Sequence, residues 1–168
     1  RYFKGSELKE DVYAINDFCH KGPKREDVLQ SQRQVTGLDH DVPYLVSEFC
    51  GHVYPCKPWD NENVREEHAR MHARVQSRAA CTDNIMGALA WCAFDYQTHG
   101  DYGSGDKICY HGIMDMFRMP KFASYLYRSQ KDPSEEVVLE TTSVFSRGEK
   151  GDNKVAPVMI MTNCDFIE

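Results

Sequence analysis

Pro43-Tyr-Leu-Val-Ser-Glu-Phe-Cys50 is an apolar, strand-like run that carries a carboxylate, Glu48, near its end and breaks at Gly51. A short buried strand that delivers an acidic side chain to its own carboxyl end is how parallel-sheet and barrel enzymes present catalytic groups. The neighbouring segments can be arranged around Glu48.

On the amino-terminal side, Asp11 to Phe18 reads as a short strand, with Val12, Ala14 and Phe18 apolar and Asn16 and Asp17 near its carboxyl end. His20-Lys-Gly-Pro23 ends it. The spacing of Val28, Leu29, Gln32 and Val35 predicts an amphipathic helix over 24–35, packed on a sheet and stopped by Gly37.

Beyond Glu48, Gly51 to Asp60 reads as a loop stiffened by Pro55 and Pro58 and carrying Trp59. Asp60 to Asn63 opens a long polar helix to about Ala80, with acidic residues at the positive end of the helix dipole. Ile85 to Asp95 is almost continuously apolar and predicts a third strand, buried on both faces. A long loop over 96–112 then holds Gly100, Gly103, Gly105 and Gly112; loops of this length usually serve function or move. Pro120 to Gln130 predicts a last amphipathic helix, with proline in its first turn. From Lys131-Asp-Pro-Ser134 onward the helical period is lost and the chain reads as a linker followed by a β-rich module, with a boundary between 131 and 136.

With 168 residues, 41% of them hydrophobic, the chain suits one domain with a sizeable core. A net charge of -6 with scattered basic residues argues against a general binder of nucleic acid or of an anionic membrane surface. No run approaches the ~18 apolar residues of a membrane span, and the amino terminus lacks a signal-peptide layout. Arg1 stands where an initiator Met would, and Phe166-Ile-Glu168 lies inside a strand-like pattern, so the chain reads as part of something longer. The compartment, cytoplasmic or exported, is left open.

The seven cysteines lack a CxxC pair or zinc-ribbon spacing and read as ordinary thiols. Cys50 and Cys56 flank the Glu48 loop, where a local disulfide in an oxidising compartment is weighed against two free thiols. His68 and His72 in Glu67-His-Ala-Arg-Met-His72 share one helix face and would suit zinc. No third ligand is marked, and Arg65, Glu66, Arg70 and Arg74 around them predict a solvated face instead. No metal or other cofactor is implied.

Several motifs in this order carry a likeness: Ser47-Glu-Phe with Gly51 and His52; Trp91-Cys-Ala-Phe-Asp95; Gly112-Ile-Met-Asp115; and Arg118-Met-Pro-Lys121 leading into a Tyr-rich helix. Together they resemble glycoside hydrolase family 2, and within it the bacterial β-galactosidases. The resemblance covers nearly all of residues 1–131. It implies that the segment is the last three βα units of a (β/α)8 TIM barrel, and that the three strands are the sixth, seventh and eighth. Residues 132–168, with Thr162-Asn-Cys-Asp165, would be a linker and the start of an Ig-like β-sandwich.

The resemblance implies a retaining exo-β-glycosidase, foremost a β-galactosidase, acting on terminal β-linked sugars. β-Glucosidase- or β-mannosidase-like activity is the runner-up. Glu48 matches the nucleophile, a carboxylate that forms a glycosyl ester and then yields it to water. The second carboxyl, about 5 to 5.5 Å away in a retaining enzyme, lies in the family at the end of the fourth strand. No strand precedes Asp11, so the acid/base is expected outside this chain and the isolated chain is expected to be inactive. Trp91 matches an aromatic sugar platform, and as part of an apolar strand it suits the core equally well. Asn16 matches a polar position near the sugar, while Phe18 stands where relatives often carry a Tyr that bonds the nucleophile. His52 and His99, in the loops after the second and third strands, are candidates for sugar hydroxyls or are simply solvated; Asp95 either braces its loop or touches sugar. The loop Gly105-Asp-Lys-Ile-Cys109 lacks the Asn-x-Lys of glucuronidases, so a neutral sugar is expected. Three strands cannot close a barrel, which predicts self-association or packing with the rest of a barrel; the rival reading is a noncatalytic, associating fragment.

Overall fold

The chain is described by a computed structural model over residues 10–19, 29–51, 55–98 and 105–168. Strands β1 (Tyr13–Asn16), β2 (Tyr44–Cys50) and β3 (Ile85–Trp91) form a parallel sheet with β2 in the centre. Helix α1 (Gln32–Thr36) connects β1 to β2, and α2 (Glu62–Ala80) connects β2 to β3. An antiparallel pair, β4 (Tyr96–Gln97) and β5 (Ile108–Cys109), precedes α3 (Phe122–Arg128). A second pair, β6 (Leu139–Thr141) and β7 (Ile160–Thr162), follows it. The architecture is α/β, and no described helix is long and apolar enough to cross a membrane.

The first helix is shorter than its apolar spacing predicts. Ser31 caps it: its Oγ accepts from Gln34 N while Gln34 Oε1 accepts from Ser31 N, a capping box that fixes the start after Leu29 and Gln30. Gly37 ends it at φ 72, the left-handed conformation expected of that glycine. The rest of the expected 24–35 helix, up to 28, lies outside the described residues. Residues 96–112, expected as a loop, carry the short β4–β5 pair.

One face of the sheet builds the main core. Tyr44, Val46 and Phe49 of β2 are fully buried with Val35 of α1, Met71, Val75 and Ala79 of α2, and Ala88 of β3. Burying a side chain such as Phe49 contributes roughly 1.5–3 kcal/mol. The expectation that β3 is buried on both faces is not met: Met86, Leu89 and Trp91 are exposed. The reason is topological: among the described residues β3 pairs only with β2 and stands at an edge of the sheet, where no further strand shields it.

The carboxy-terminal segment packs on the helices. Met161 of β7 joins Ala69, Phe122 and Ala123 in a second apolar cluster. Glu62, completely buried in the first turn of α2, accepts from Ser143 Oγ at 3.0 Å and from Val144 N. Lys150 Nζ donates to Glu66 Oε2 at 3.1 Å, and Arg128 bridges Glu136 and Glu140. The acidic start of α2 therefore does more than complement the helix dipole.

Candidate active site

The decisive local feature is an extra residue in β2. Ile15 pairs with Val46 but Asn16 pairs with Glu48, so β1 advances one residue while β2 advances two. On the other side Val46 pairs with Ala88 and Phe49 with Ala90, so β2 gains one residue on β3 as well. In a regular strand Ser47 and Glu48 would point to opposite faces; a bulge re-aims them. Both side chains here reach Asn16: its Nδ2 donates to Glu48 Oε2 at 3.0 Å, and Ser47 Oγ donates to its Oδ1 at 3.0 Å. The backbone ties the same place, with Asp17 N donating to Glu48 O at 2.9 Å.

After Glu48 the strand ends abruptly. Cys50 and Gly51 adopt φ of 69 and 59, two successive left-handed residues. A Cβ on Gly51 would lie 3.6 Å from Glu48 Oε1, 3.6 Å from Phe18 Cε1 and 3.8 Å from Trp91 Cδ1. The open side of Gly51 is thus a niche bounded by the carboxylate and two aromatic rings. Trp91 is 44% exposed, at the surface rather than in the core, and its Nε1 donates to Tyr96 Oη at 3.1 Å. Phe18 offers the carboxylate no hydrogen bond, and the donor that meets Glu48 comes from Asn16 two residues earlier. His52 and His99 lie outside the described residues.

Beneath this end of the sheet sits a buried cation. Lys121 Nζ donates to Asp95 Oδ1 at 2.6 Å and to the carbonyls of Cys56 at 2.7 Å and Tyr110 at 3.4 Å. Asp95 Oδ1 also accepts from Gly112 N at 2.9 Å. Of its two expected roles, Asp95 therefore has the bracing one. Burial raises its carboxyl above the ordinary aspartate range, opposed by Lys121 and the Gly112 N–H. The same anchor presents Trp59 edge-on to Tyr110, with Lys57 Nζ 5.0 Å from the Tyr110 ring. The loops that follow β2 and β3 are held to one another through Lys121.

The histidine pair is not a solvated helix face. His68 and His72 are 1% and 0% exposed, with their Nε2 atoms 3.3 Å apart. His72 Nε2 also lies 3.3 Å from Cys50 Sγ, and its Nδ1 lies 2.8 Å from Tyr127 Oη. The charged neighbours misled because their own side chains pair off: Arg70 with Glu66, Arg74 with Glu67, and Arg65 with Glu149. Burial, reinforced by His72, holds His68 well below the ordinary histidine range, so it is neutral. No group of three or more ligating side chains suited to a metal ion occurs among the described residues. No disulfide links any of the seven cysteines, Cys50 and Cys56 included; burial pushes the Cys56 thiol up to about 12.

Ser47 and Lys121 are the supporting residues that single-residue reading passed over. Both stand inside the motifs quoted above, but neither spacing nor polarity marks a bulge or a buried cation. A groove lined by Asn63, Glu66, Arg70 and Lys150 lies away from Glu48, and its buried charges, Glu66 and Lys150, satisfy one another.

The chain is 54% identical over 168 residues to a β-galactosidase of Thermoanaerobacterium thermosulfurigenes, covering all of this chain and 23% of that protein. It is 40% identical over 171 residues to a β-galactosidase of Thermoanaerobacter pseudethanolicus and 41% identical over 175 to one of Rhizobium meliloti, covering 21% and 23% of those proteins. No protein-family model matches. Among solved structures, a GH2 β-galacturonidase from Eisenbergiella tayi, bound to galacturonate, superposes with a TM-score of 0.51 at 16% identity, over 67% of this chain and 22% of that one. That likeness concerns the fold. Over its whole length the chain is similar to a segment of these β-galactosidases, and it spans less than a quarter of the curated relatives it matches.

Proposed function

We propose that the intact polypeptide is a retaining exo-β-glycosidase, foremost a β-galactosidase, with Glu48 as its nucleophile. The observation that carries this is the end of β2, where a bulge turns Glu48 onto Asn16 and leaves its other oxygen in the niche between Gly51 and Trp91. Similarity of the whole chain to less than a quarter of each of three β-galactosidases supports the substrate class.

In this reading β1, β2 and β3 are the last three strands of a (β/α)8 barrel over 1–131, and 132–168 begin a β-sandwich domain. Trp91 offers its exposed indole to the apolar face of the terminal sugar. Asn16 positions the nucleophile and lies beside the sugar; His52 and His99 are the further hydroxyl-bonding candidates. The acid/base carboxyl comes from elsewhere in the polypeptide, about 5 to 5.5 Å from Glu48 in the closed site. The isolated chain, lacking it, is inactive and associates with itself or with the remainder of the barrel.

Labelling the intact enzyme with a 2-deoxy-2-fluoro-galactoside and mapping the peptide tests the assignment. The ester is expected on Glu48; a label on another residue overturns it. Comparing galacto-, gluco- and manno-configured probes separates the β-galactosidase reading from its β-glucosidase and β-mannosidase alternatives. Turnover of lactose, whose sugar aglycone needs a proton to leave, by the 168-residue chain alone would refute the external acid/base.

A further inference from the structure

Glu48 does not present two equivalent oxygens. Oε2 accepts from Asn16 Nδ2 at 3.0 Å, whereas Oε1 lies 3.6 Å from the position a Cβ would take on Gly51, a position that Trp91 Cδ1 also borders at 3.8 Å. Resting on the nucleophile reading above, we propose that Ser47 is a positioning residue: with Asn16 it clamps Oε2, which makes Oε1 the atom that attacks the sugar.

The chain of donors has one consistent direction. A carboxylate has no proton to give, so the Asn16 amide must turn its NH2 to Glu48 and its carbonyl to Ser47. Ser47 then donates to Oδ1, and that bond pins the amide torsion and polarises the NH2 towards the carboxylate. Ser47 and Glu48 are adjacent, and only the bulge in β2 lets adjacent side chains converge on one partner. Burial along β2 shows the same slip: Val46 and Phe49 are buried, and the two residues between them are both partly exposed.

In the step itself, a lone pair on Oε1 forms the bond to the anomeric carbon while the bond from that carbon to the aglycone oxygen breaks, its electron pair leaving with the aglycone. A natural aglycone takes a proton from the external carboxylic acid; a dinitrophenolate needs none. Water then adds at the anomeric carbon, its proton passing to that same carboxylate, and the ester electron pair returns to Oε1. Holding Oε2 keeps the carboxylate from rotating as Oε1 changes from free oxygen to ester.

The test uses the intact enzyme and 2,4-dinitrophenyl 2-deoxy-2-fluoro-galactoside, whose leaving group removes the acid from the first step. Ser47→Ala is expected to slow the first-order inactivation rate constant about tenfold, in line with the loss of one hydrogen bond, with the probe's dissociation constant unchanged. Ser47→Thr, which keeps the hydroxyl, is expected to restore the rate. A wild-type rate constant in Ser47→Ala, or a loss that Thr does not rescue, overturns the proposal. Should Ser47→Ala fail to fold, Asn16→Asp decides: replacing the donor by a second carboxyl is expected to slow inactivation and move the acidic limb of its pH profile upward, and an unchanged profile overturns it. A label on a residue other than Glu48 in the wild type defeats the underlying reading, whereas a label on Glu48 with no effect at Ser47 defeats this one alone.

Discussion

Lys121 Nζ lies 2.6 Å from Asp95 Oδ1, with 3% and 1% of the two side chains left in contact with solvent. Through the Cys56 and Tyr110 carbonyls the same ammonium ties the loop after β2 to the segment before α3. Breaking a buried pair by removing one partner leaves an uncompensated charge and costs about 3–5 kcal/mol. Lys121→Met in the intact enzyme is therefore expected to lower local stability by that order. Hydrogen exchange by mass spectrometry should show faster exchange over 55–60 and 105–112 than in the wild type. A double variant Lys121→Met/Asp95→Leu should recover part of the loss, because both charges go together; equal exchange in wild type and Lys121→Met would refute the anchor.

His68 makes folding sensitive to acid. Its imidazole is held neutral by burial, so its folded pKa lies below the ordinary 6.5 and the unfolded chain binds the proton first as pH falls. The contribution is complete above about pH 6.5 and is lost as pH drops below it, at up to about 1.4 kcal/mol per pH unit for one proton, until the folded pKa is reached. Urea midpoints at pH 7.5, 6.0 and 5.0 should fall more steeply for the wild type than for His68→Gln. Parallel slopes would show that His68 is not the group responsible.

The central strand is legible because its apolar run coincides with burial, whereas the long helix is legible only from its polar start and the apolar run of β3 leaves Met86, Leu89 and Trp91 exposed. Tyr44, Val46 and Phe49 enter the core as the run Pro43 to Cys50 predicts. The bulge was not legible, since Leu-Val-Ser-Glu-Phe reads equally well in either register and only the pairing partners reveal the slip. His68 and His72 were hidden for a related reason. Their face, continued by Val75 and Ala79, is buried; of the charges beside them, Arg70 and Arg74 pair within the helix, while Arg65 and Glu66 reach Glu149 and Lys150 far along the chain. Pairing over more than eighty positions leaves no local trace. At the candidate site, Glu48 stands out at a strand end, while Trp91 and Asn16 are marked only by the resemblance; the Asn16 side chain bonds the Glu48 carboxylate.

Two glycines separate activity from stability. Gly51 sits at φ 59, and its added Cβ would meet Glu48 Oε1 and Trp91 Cδ1 at ordinary contact distances of 3.6 and 3.8 Å. Gly51→Ala is expected to cost about 1–2 kcal/mol from the left-handed backbone and to lower kcat/KM at least about tenfold by filling the niche. At Gly112 the added Cβ would lie 2.3 Å from Asp95 N and 2.4 Å from Met114 O. These are backbone atoms that cannot swing aside, so Gly112→Ala is expected to cost about 3 kcal/mol or more. Thermal midpoints and kcat/KM of both variants check the contrast; a Gly51→Ala enzyme with wild-type kcat/KM would remove the niche from the mechanism.

The sheet edge predicts the behaviour of the isolated chain. Among the described residues β3 pairs with β2 alone, and Met86 and Leu89 on it are 63% and 55% exposed. Met86 is also the residue that β3 gains between the Tyr44–Ile85 and Leu45–Gly87 pairs. An unpaired edge with apolar side chains is a template for a further strand, from the rest of a longer polypeptide or from a second copy. Sedimentation velocity of the 168-residue chain is expected to show concentration-dependent oligomers, and Leu89→Lys should shift them towards monomer by placing a charge on the edge. A monodisperse wild-type monomer that unfolds cooperatively would mean the edge is protected without a partner strand.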